Sequence, residues 1–251
     1  MPETARARIG LMLYTVREDC ARAFEPTVRE VARMGYEGVE LFDLHGHEPA
    51  EVASWLADTG LSVSSRHASL EAVESQLPTL ADEAGVLGWR RLVVAWADPS
   101  ELGPALVGRL AAAAAAAAAH GLELGFHNHD AEVRPRGGGG SFLDELLTAD
   151  DVFLELDLGW AWYGGADPVS LLERFAGRCP LVHVKDFSSA EPGSFTPVGD
   201  GAVGYELVAP AAIGAGAEWL LVEQDETEGR ALDAAKRSLE ALTSMLTEVP
   251  A

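Results

Sequence analysis

The sequence has few cysteines and few basic residues. Its two cysteines, Cys20 and Cys179, form no CxxC pattern, so no disulfide framework is expected and a reducing, cytoplasmic setting is predicted. Lys and Arg number 18 against 40 Asp and Glu, which gives a net charge of −22. A surface with this charge repels nucleic-acid phosphates and anionic membranes. Neither is therefore an expected partner.

Long hydrophobic runs are missing as well. The N-terminal segment contains only a very short apolar stretch and lacks the hydrophobic region of a signal peptide. No run approaches the roughly 18 apolar residues of a membrane span. The longest, residues 110–119, is nearly all alanine, and because alanine has the highest helix propensity we predict a helix there.

Short apolar segments alternate with helix-like segments along the whole chain, with no linker between them. The 251 residues, 48% hydrophobic and 23% charged, are predicted to form a single domain over residues 1–251. Nearly continuous apolar strands separated by helices indicate a parallel sheet that is covered on its faces. Eight such units in about 250 residues favour an α/β fold of the closed (β/α)8 TIM barrel type over an open sheet. The predicted strands are residues 9–14, 38–42, 61–67, 91–96, 122–127, 152–157, 181–185 and 219–223. The predicted helices include residues 20–34, the alanine-rich helix opened by Pro99 and Glu101, and a last helix over residues 232–248.

Carboxylates and imidazoles gather at the ends of the last four predicted strands. Active sites of (β/α)8 barrels lie at the carboxyl ends of the strands, so these side chains are expected to meet. Crowded carboxylates need a compensating positive charge, which a divalent cation supplies. A donor set rich in oxygen with one histidine suits Mn²⁺, Mg²⁺ or Co²⁺, and also admits Zn²⁺. The residues are His127, His129, Glu132, Glu155, Asp157, His183, Lys185 and Glu223.

The two-residue alternation of a strand helps to choose among them. Glu155 and Asp157 share one face, with Asp157 nearer the mouth of the barrel, and His183 and Lys185 share another. Glu223 ends its strand. This geometry permits these residues as ligands without requiring any one of them.

Six motifs in order carry a resemblance to a known family. They are GYEGVEL (35–41), GFHNHDAEV (125–133), LELDLGWAW (154–162), LVHVKD (181–186), PVGDG (197–201) and LLVEQDE (220–226). Together they resemble the xylose isomerase-like TIM barrel superfamily, and more narrowly its sugar phosphate isomerase/epimerase branch with an HNHxxE signature. The resemblance extends over essentially the whole chain.

The resemblance implies one divalent metal ion, with Mn²⁺ favoured. Its ligands would be one residue from each of strands five to eight, namely Glu132, Asp157, His183 and Glu223. Because Glu132 lies a few residues past its strand, His127 or His129 stays open as the ligand in its place.

The resemblance also implies removal of a proton beside a carbonyl group, with a metal-stabilised enediolate. We expect an isomerase or epimerase acting on a ketose, sugar phosphate or cyclitol. A dehydratase or lyase acting on a keto-sugar or inosose is the alternative, because both reactions start with the same step. For either reaction, Glu132, Glu223 and His129 are the candidates for proton transfer, and Lys185 is the candidate for stabilising the oxyanion.

Further residues are candidates for substrate contact. Three tryptophans near the mouth could form an apolar wall, and three other side chains could reach polar groups of the substrate. These six are Trp96, Trp160, Trp162, Arg66, His67 and His127. For each the simpler interpretation is packing or a local ion pair. Residues 199–204 match GxGxxG, but they follow no predicted strand and no adjacent basic pair supports a phosphate site.

Two other functions are disfavoured. An endonuclease-IV-like repair enzyme needs three zinc ions and a histidine on strand four, which here ends in Trp96, Ala97 and Asp98. The charge of −22 also opposes DNA binding. A non-catalytic sugar-binding barrel is disfavoured by the intact Glu/Asp/His/Glu set. A small sugar or cyclitol is therefore the expected partner, and the chain could also form a homo-oligomer.

Overall fold

The computed structural model describes residues 6–137 and 139–247 and contains a closed barrel of eight parallel strands. Each strand pairs with its neighbours in chain order, and the first strand closes the barrel by pairing with the last, with Arg8 opposite Trp219. The barrel strands are β1 (Arg8–Met12), β2 (Gly38–Leu41), β3 (Ser62–Ala68), β4 (Arg91–Val94), β5 (Glu123–His127), β6 (Val152–Asp157), β7 (Leu181–Val184) and β8 (Trp219–Val222). The predicted fold class is thereby confirmed.

Helices cover the outside of the barrel. They are α1 (Arg17–Arg22), α2 (Phe24–Met34), α3 (Pro49–Thr59), α4 (Leu70–Leu87), α5 (Pro104–Ala118), α6 (Asp130–Val133), α7 (Phe142–Leu146), α8 (Leu158–Tyr163), α9 (Pro168–Arg174), α10 (Tyr205–Gly214) and α11 (Ala231–Thr247). Of the described helices, none combines the length and the apolar character that a bilayer span requires. The predicted end of the last helix, Glu248, and both ends of the predicted domain, residues 1–5 and 248–251, lie outside the described residues.

Two predicted helices differ from the observed ones. The helix predicted over residues 20–34 is broken at Ala23, whose backbone is not helical, so α1 and α2 are separate. The alanine-rich helix was predicted to open at Pro99, but residues 99–101 form a single 3₁₀ turn capped by Asp98. Since Leu102 and Gly103 then leave the helical conformation, α5 begins only at Pro104.

Large side chains fill the amino-terminal end of the barrel. Trp219 projects from β8 and Phe153 from β6, and they pack with Val93, Leu181 and Leu221. Glycines on the strands make room for the rings. A Cβ atom on Gly38 would lie 2.4 Å from the Trp219 ring and 2.5 Å from the carbonyl oxygen of Ser62, and one on Gly125 would lie 2.2 Å from the Phe153 ring. This end of the barrel is therefore packed, and the chemistry is confined to the other end.

This packing makes the Gly38→Ala substitution costly. Overpacking of a core typically destabilises a protein by about 1–3 kcal/mol, and here one of the clashing atoms belongs to the backbone. We expect a lower urea unfolding midpoint for this variant.

Gly108→Ala is the matched control. Gly108 is an exposed residue inside α5, and a Cβ there would meet nothing within 4 Å. Because alanine favours the helix, this variant should gain roughly 0.5–1 kcal/mol. Equal midpoints for the two variants would contradict the packing described for the barrel end.

Candidate active site and metal centre

A cavity of about 480 Å³ opens at the carboxyl ends of the barrel strands. Trp96, whose surface is 58% exposed, stands at this mouth. Aromatic, imidazole and carboxylate side chains share the wall. The lining residues are Met12, Tyr14, Phe42, His67, Ala68, Ser69, Ala95, Trp96, His127, His129, Glu223, Asp225 and Glu226. The cavity is large enough for a monosaccharide or a cyclitol.

Four buried side chains at its floor could hold a metal ion. His127, Asp157, His183 and Glu223 each offer one donor atom, and these atoms all lie within 4.8 Å of one another. We call this group the upper tier. His183 Nδ1 lies 2.9 Å from Glu223 Oε2, and His127 Nε2 lies 3.9 Å from Asp157 Oδ2. Donors that share one ion at bond lengths near 2.1 Å are roughly 3–3.5 Å apart, so the spacing fits a divalent cation.

The local structure frees one oxygen of Asp157 for this purpose. Asp157 is the last residue of β6 and the N-cap of α8, and its Oδ1 accepts a hydrogen bond from the amide of Trp160. Its Oδ2 is buried and accepts no hydrogen bond. Asn128, at the end of β5, accepts from the amide of Asp157 and donates to its carbonyl oxygen, so the two strand ends are held together. The sequence did not mark Asn128 as a functional residue.

Lys185 provides the nearest ammonium group to these carboxylates. Its Nζ lies 2.8 Å from Glu223, 3.1 Å from Asp225 and 3.2 Å from Asp157. Burial opposes its charge, but the three carboxylates raise the pKa of Lys185 above its usual value, so it stays an ammonium ion. The hydroxyl of Tyr205 accepts from the amide of Lys185 and donates to its carbonyl, which fixes the backbone here.

The charges of the upper tier depend on this crowding. Burial raises the pKa of Asp157 to about 6, although Lys185 and His183 favour its ionised form. For Glu223 burial acts in the same direction, but Lys185 and His183 outweigh it and hold its pKa well below the usual value. Burial lowers the pKa of His127 far below its usual value, so this imidazole is neutral and able to bind a cation.

Two sets of potential metal ligands are found among the described residues, and Glu132 belongs to neither. They are the upper tier and a set formed by His67, His127, Glu155 and His183. Glu132 belongs to α6, the short helix after β5, and its Oε2 accepts a hydrogen bond from the amide of His129 in a capping box. Burial raises its pKa. The structure therefore places His127 with the other three candidates, while the role of Glu132 as a ligand stays a prediction.

A second set of ionisable groups lies deeper in the barrel. Glu40 on β2, His67 on β3 and Glu155 on β6 are 0%, 7% and 0% exposed, and we call them the lower tier. His67 Nε2 lies 2.5 Å from Glu155 Oε2 and 3.2 Å from Glu40 Oε1. The sequence analysis assigned no function to either glutamate. The available signal was a charged residue inside an otherwise apolar strand, GVEL or VFLELD.

The other predicted substrate contacts are distributed unevenly. Trp96, His67 and His127 line the cavity. Arg66 instead binds Glu83 and the carbonyl oxygens of Phe42 and His67. Trp160 packs on His129 and Phe187, and Trp162 stacks on Phe187, so neither tryptophan is among the lining residues.

The loop that matches GxGxxG is organised by Asp186. The carboxylate of Asp186 accepts hydrogen bonds from the amides of Phe187, Gly199, Gly201 and Val203. A Cβ atom on Gly201 would lie 2.1 Å from this carboxylate. These amides are therefore already used inside the protein and do not form a phosphate cradle. A two-stranded hairpin, Asp186–Phe187 with Phe195–Thr196, starts this loop and was not predicted.

Comparison with known proteins assigns the family. A sequence profile described as xylose isomerase-like TIM barrel matches residues 28–245. The chain belongs to this family. An inosose dehydratase of Geobacillus kaustophilus is 26% identical, with 80% of each chain covered. The prediction of family membership and the prediction that the chain is an enzyme are both confirmed.

Two solved structures share the fold. A sugar phosphate isomerase/epimerase from Parabacteroides distasonis has a TM-score of 0.79 at 19% identity, with 96% of each chain covered. The probable 3-DHS dehydratase AsbF from Bacillus anthracis has a TM-score of 0.76 at 17% identity, with 94% of this chain and 98% of that chain covered. At these identities the likeness extends to the barrel alone.

The upper tier predicts which substitutions abolish metal binding. For His127→Ala and His183→Ala we expect Mn²⁺ affinity to fall by more than about 100-fold, because each loses a direct donor. Glu132→Gln should change the affinity by less than roughly threefold, since its carboxylate caps α6 instead. Isothermal titration of the metal-free variants measures this. Loss of binding in Glu132→Gln with retention in His127→Ala would reverse the assignment.

Proposed function

We propose that this protein is a divalent-metal-dependent dehydratase acting on an uncharged polyhydroxylated ketone, such as a keto-cyclitol or keto-sugar. In this reaction a proton is removed beside the carbonyl group and the hydroxyl group on the β-carbon is expelled. The observation that carries the proposal is the upper tier, which lies at the floor of a monosaccharide-sized cavity beside a neutral histidine. The inosose dehydratase relative supports this choice of reaction.

The ion would be held by His127, Asp157, His183 and Glu223. A donor set of two imidazoles and two carboxylates admits Mn²⁺, which we favour, as well as Co²⁺ and Zn²⁺. When bound, such an ion supplies Lewis-acid polarisation of the substrate carbonyl group.

His129 is the best placed base for the proton. Its side chain lines the cavity, and its Nδ1 has no hydrogen-bond partner among the described residues. Burial, together with the charge of Lys185, lowers the pKa of His129 to about 4. The ring is therefore neutral near pH 7 and ready to accept a proton.

Two further groups serve the elimination. When the C–H electrons form the new double bond, the β-carbon–oxygen bond breaks and the departing hydroxide needs a proton. Asp225 lines the cavity 3.1 Å from Lys185 Nζ, and we assign to it the delivery of that proton because burial raises its pKa. Negative charge that develops on the carbonyl oxygen is stabilised by the nearby Lys185 ammonium group, which the surrounding carboxylates hold in place.

The charge of the cavity favours an uncharged substrate. Three of its lining residues are acidic, Glu223, Asp225 and Glu226, and none is Lys or Arg. Lys185 is paired with three carboxylates, and Arg17 donates to the carbonyl oxygen of Asp225 at 2.7 Å. A phosphate group would therefore meet negative side chains without an unpaired Lys or Arg to bind it.

Incubation of the manganese enzyme with an inosose distinguishes elimination from isomerisation. We expect a product lighter by one water in the mass spectrum, with the absorbance of a conjugated enone. A product with the formula of the substrate, which gains deuterium when the reaction runs in D₂O, would instead identify an isomerase or epimerase. These reactions start with the same proton removal.

The same assay tests His129 as the base. His129→Gln should lower kcat by roughly 10²- to 10⁴-fold, because it removes the proton acceptor. Its bound metal should be unchanged, since His129 is not in the upper tier. His120→Gln, at an exposed position after α5, is the control and should keep wild-type activity. Full activity of His129→Gln would exclude this role.

A charge reversal at the mouth tests the substrate class. The wild-type protein should bind myo-inositol in preference to myo-inositol 1-phosphate. Glu226→Lys should raise the affinity for the phosphate ester by roughly 3- to 10-fold, because a cation replaces an anion at a partly exposed position. Glu228→Lys makes the same change outside the cavity and should have no such effect. Tight binding of the ester by the wild-type protein would refute the proposed substrate class.

A further inference from the structure

We propose that Glu40 is a positioning residue that fixes the ring nitrogen which His183 presents to the metal, and that Glu155 does the same for His127. This inference rests on the proposed function in one respect, namely that an ion binds at the upper tier. It assigns a role to two buried carboxylates that the proposed reaction does not use.

His183 lies between the two tiers. Its Nδ1 faces Glu223 in the upper tier at 2.9 Å, and its Nε2 lies 2.7 Å from Glu40 Oε2 in the lower tier. A neutral imidazole carries one proton, and only the nitrogen without it can bind a metal. Both nitrogens face carboxylates, which only accept. When an ion occupies the upper tier it would replace the proton on Nδ1, and Glu40 would keep the remaining proton on Nε2.

His127 shows the same arrangement with its nitrogens exchanged. Its Nδ1 lies 3.2 Å from Glu155 Oε2, while its Nε2 faces Asp157 Oδ2 at 3.9 Å. Both imidazoles of the upper tier therefore have one nitrogen on the metal side and the other on a buried carboxylate. Ligand histidines are commonly oriented by an outer carboxylate in this way.

The lower tier contains the closest of these contacts. His67 Nε2 lies 2.5 Å from Glu155 Oε2, and His183 Nε2 lies 2.7 Å from Glu40 Oε2. His67, His127, Glu155 and His183 also form a potential ligand set. We assign the ion to the upper tier because these two short separations are hydrogen-bond lengths, below the roughly 3–3.5 Å between donors that share an ion. His67 instead joins the two carboxylates, since its Nε2 is also 3.2 Å from Glu40 Oε1.

An irregularity in the pairing of β2 with β3 sets which side chains of β3 meet Glu40. The pairing shifts between Val39, opposite Val63, and Glu40, opposite Ser65, so Ser64 is an extra residue on β3. Such bulges redirect side chains at active sites. Ser65 Oγ donates to Glu40 Oε1 at 2.7 Å, which leaves Oε2 for His183.

This arrangement makes Glu40→Gln a specific test. Ser65 and His67 both lie on the Oε1 side and keep the amide oxygen of a glutamine there. The amide nitrogen would then face His183 Nε2, and a donor would oppose a donor. To relieve this conflict the proton of His183 must move to Nδ1, where it competes with the ion.

The measurement is Zn²⁺ affinity, with histidine ¹⁵N–¹H spectra of the zinc-loaded protein as the second readout. Glu40→Gln should weaken Zn²⁺ binding by roughly 10- to 100-fold and should remove the Nε2–H signal of His183. Glu155→Gln should act on His127 in the same way, and it serves as the second variant if Glu40→Gln does not fold. The control is Glu37→Gln, at the opposite end of the barrel, where Glu37 accepts from the amide of Ile9.

The outcomes separate the two proposals. Weaker zinc binding with a changed tautomer in Glu40→Gln, and unchanged binding in Glu37→Gln, supports the positioning role. Wild-type affinity, with an unchanged His183 Nε2–H signal in Glu40→Gln and an unchanged His127 Nδ1–H signal in Glu155→Gln, overturns it while the metal site stands. A wild-type protein that binds neither Zn²⁺ nor Mn²⁺ overturns the metal site and this inference with it.

Discussion

The mutual repulsion of buried carboxylates is the constraint on which the carboxyl end of this barrel depends. Four of them, Glu40, Glu155, Asp157 and Glu223, converge there, with the half-buried Asp225 beside them. Each of the four would cost several kcal/mol to bury alone as an ion. The chain supplies one ammonium group and three imidazoles among them, and the divalent cation proposed at the upper tier would complete the compensation.

The two tiers divide the work along the barrel axis. The upper tier includes His127 and Glu223 of the cavity wall and has donor spacings that suit an ion, whereas the lower tier consists of close hydrogen bonds and reaches the cavity through His67. The imidazoles of His127 and His183 join the tiers, because each ring has one nitrogen in either environment. His127 and His183 thus connect the groups near the cavity with Glu155 and Glu40, the buried carboxylates that we propose orient the two rings.

The sequence predicted the barrel well because its strands are buried on both faces and therefore nearly continuously apolar. Alternation and the order of the motifs also brought Asp157, His183 and Glu223 to one place. It left Glu132 and His127 as alternatives, since the outcome depends on a four-residue helix that turns Glu132 back toward the amide of His129. Glu40 received no role from the sequence because a single glutamate at a strand end looks the same whether it is solvated or buried. It shares the inner face of β2 with Gly38, and the extra residue on β3 brings Ser65 opposite it.

The filled amino-terminal end of the barrel has a consequence for traffic through the enzyme. Trp219 and Phe153 fill that end, and the strand glycines make room for their rings. Among the described residues, the cavity that His127 and Glu223 line opens beside Trp96, at the opposite end. A substrate would therefore enter and a product leave on the same side of the barrel. The product must then depart before the next substrate can bind.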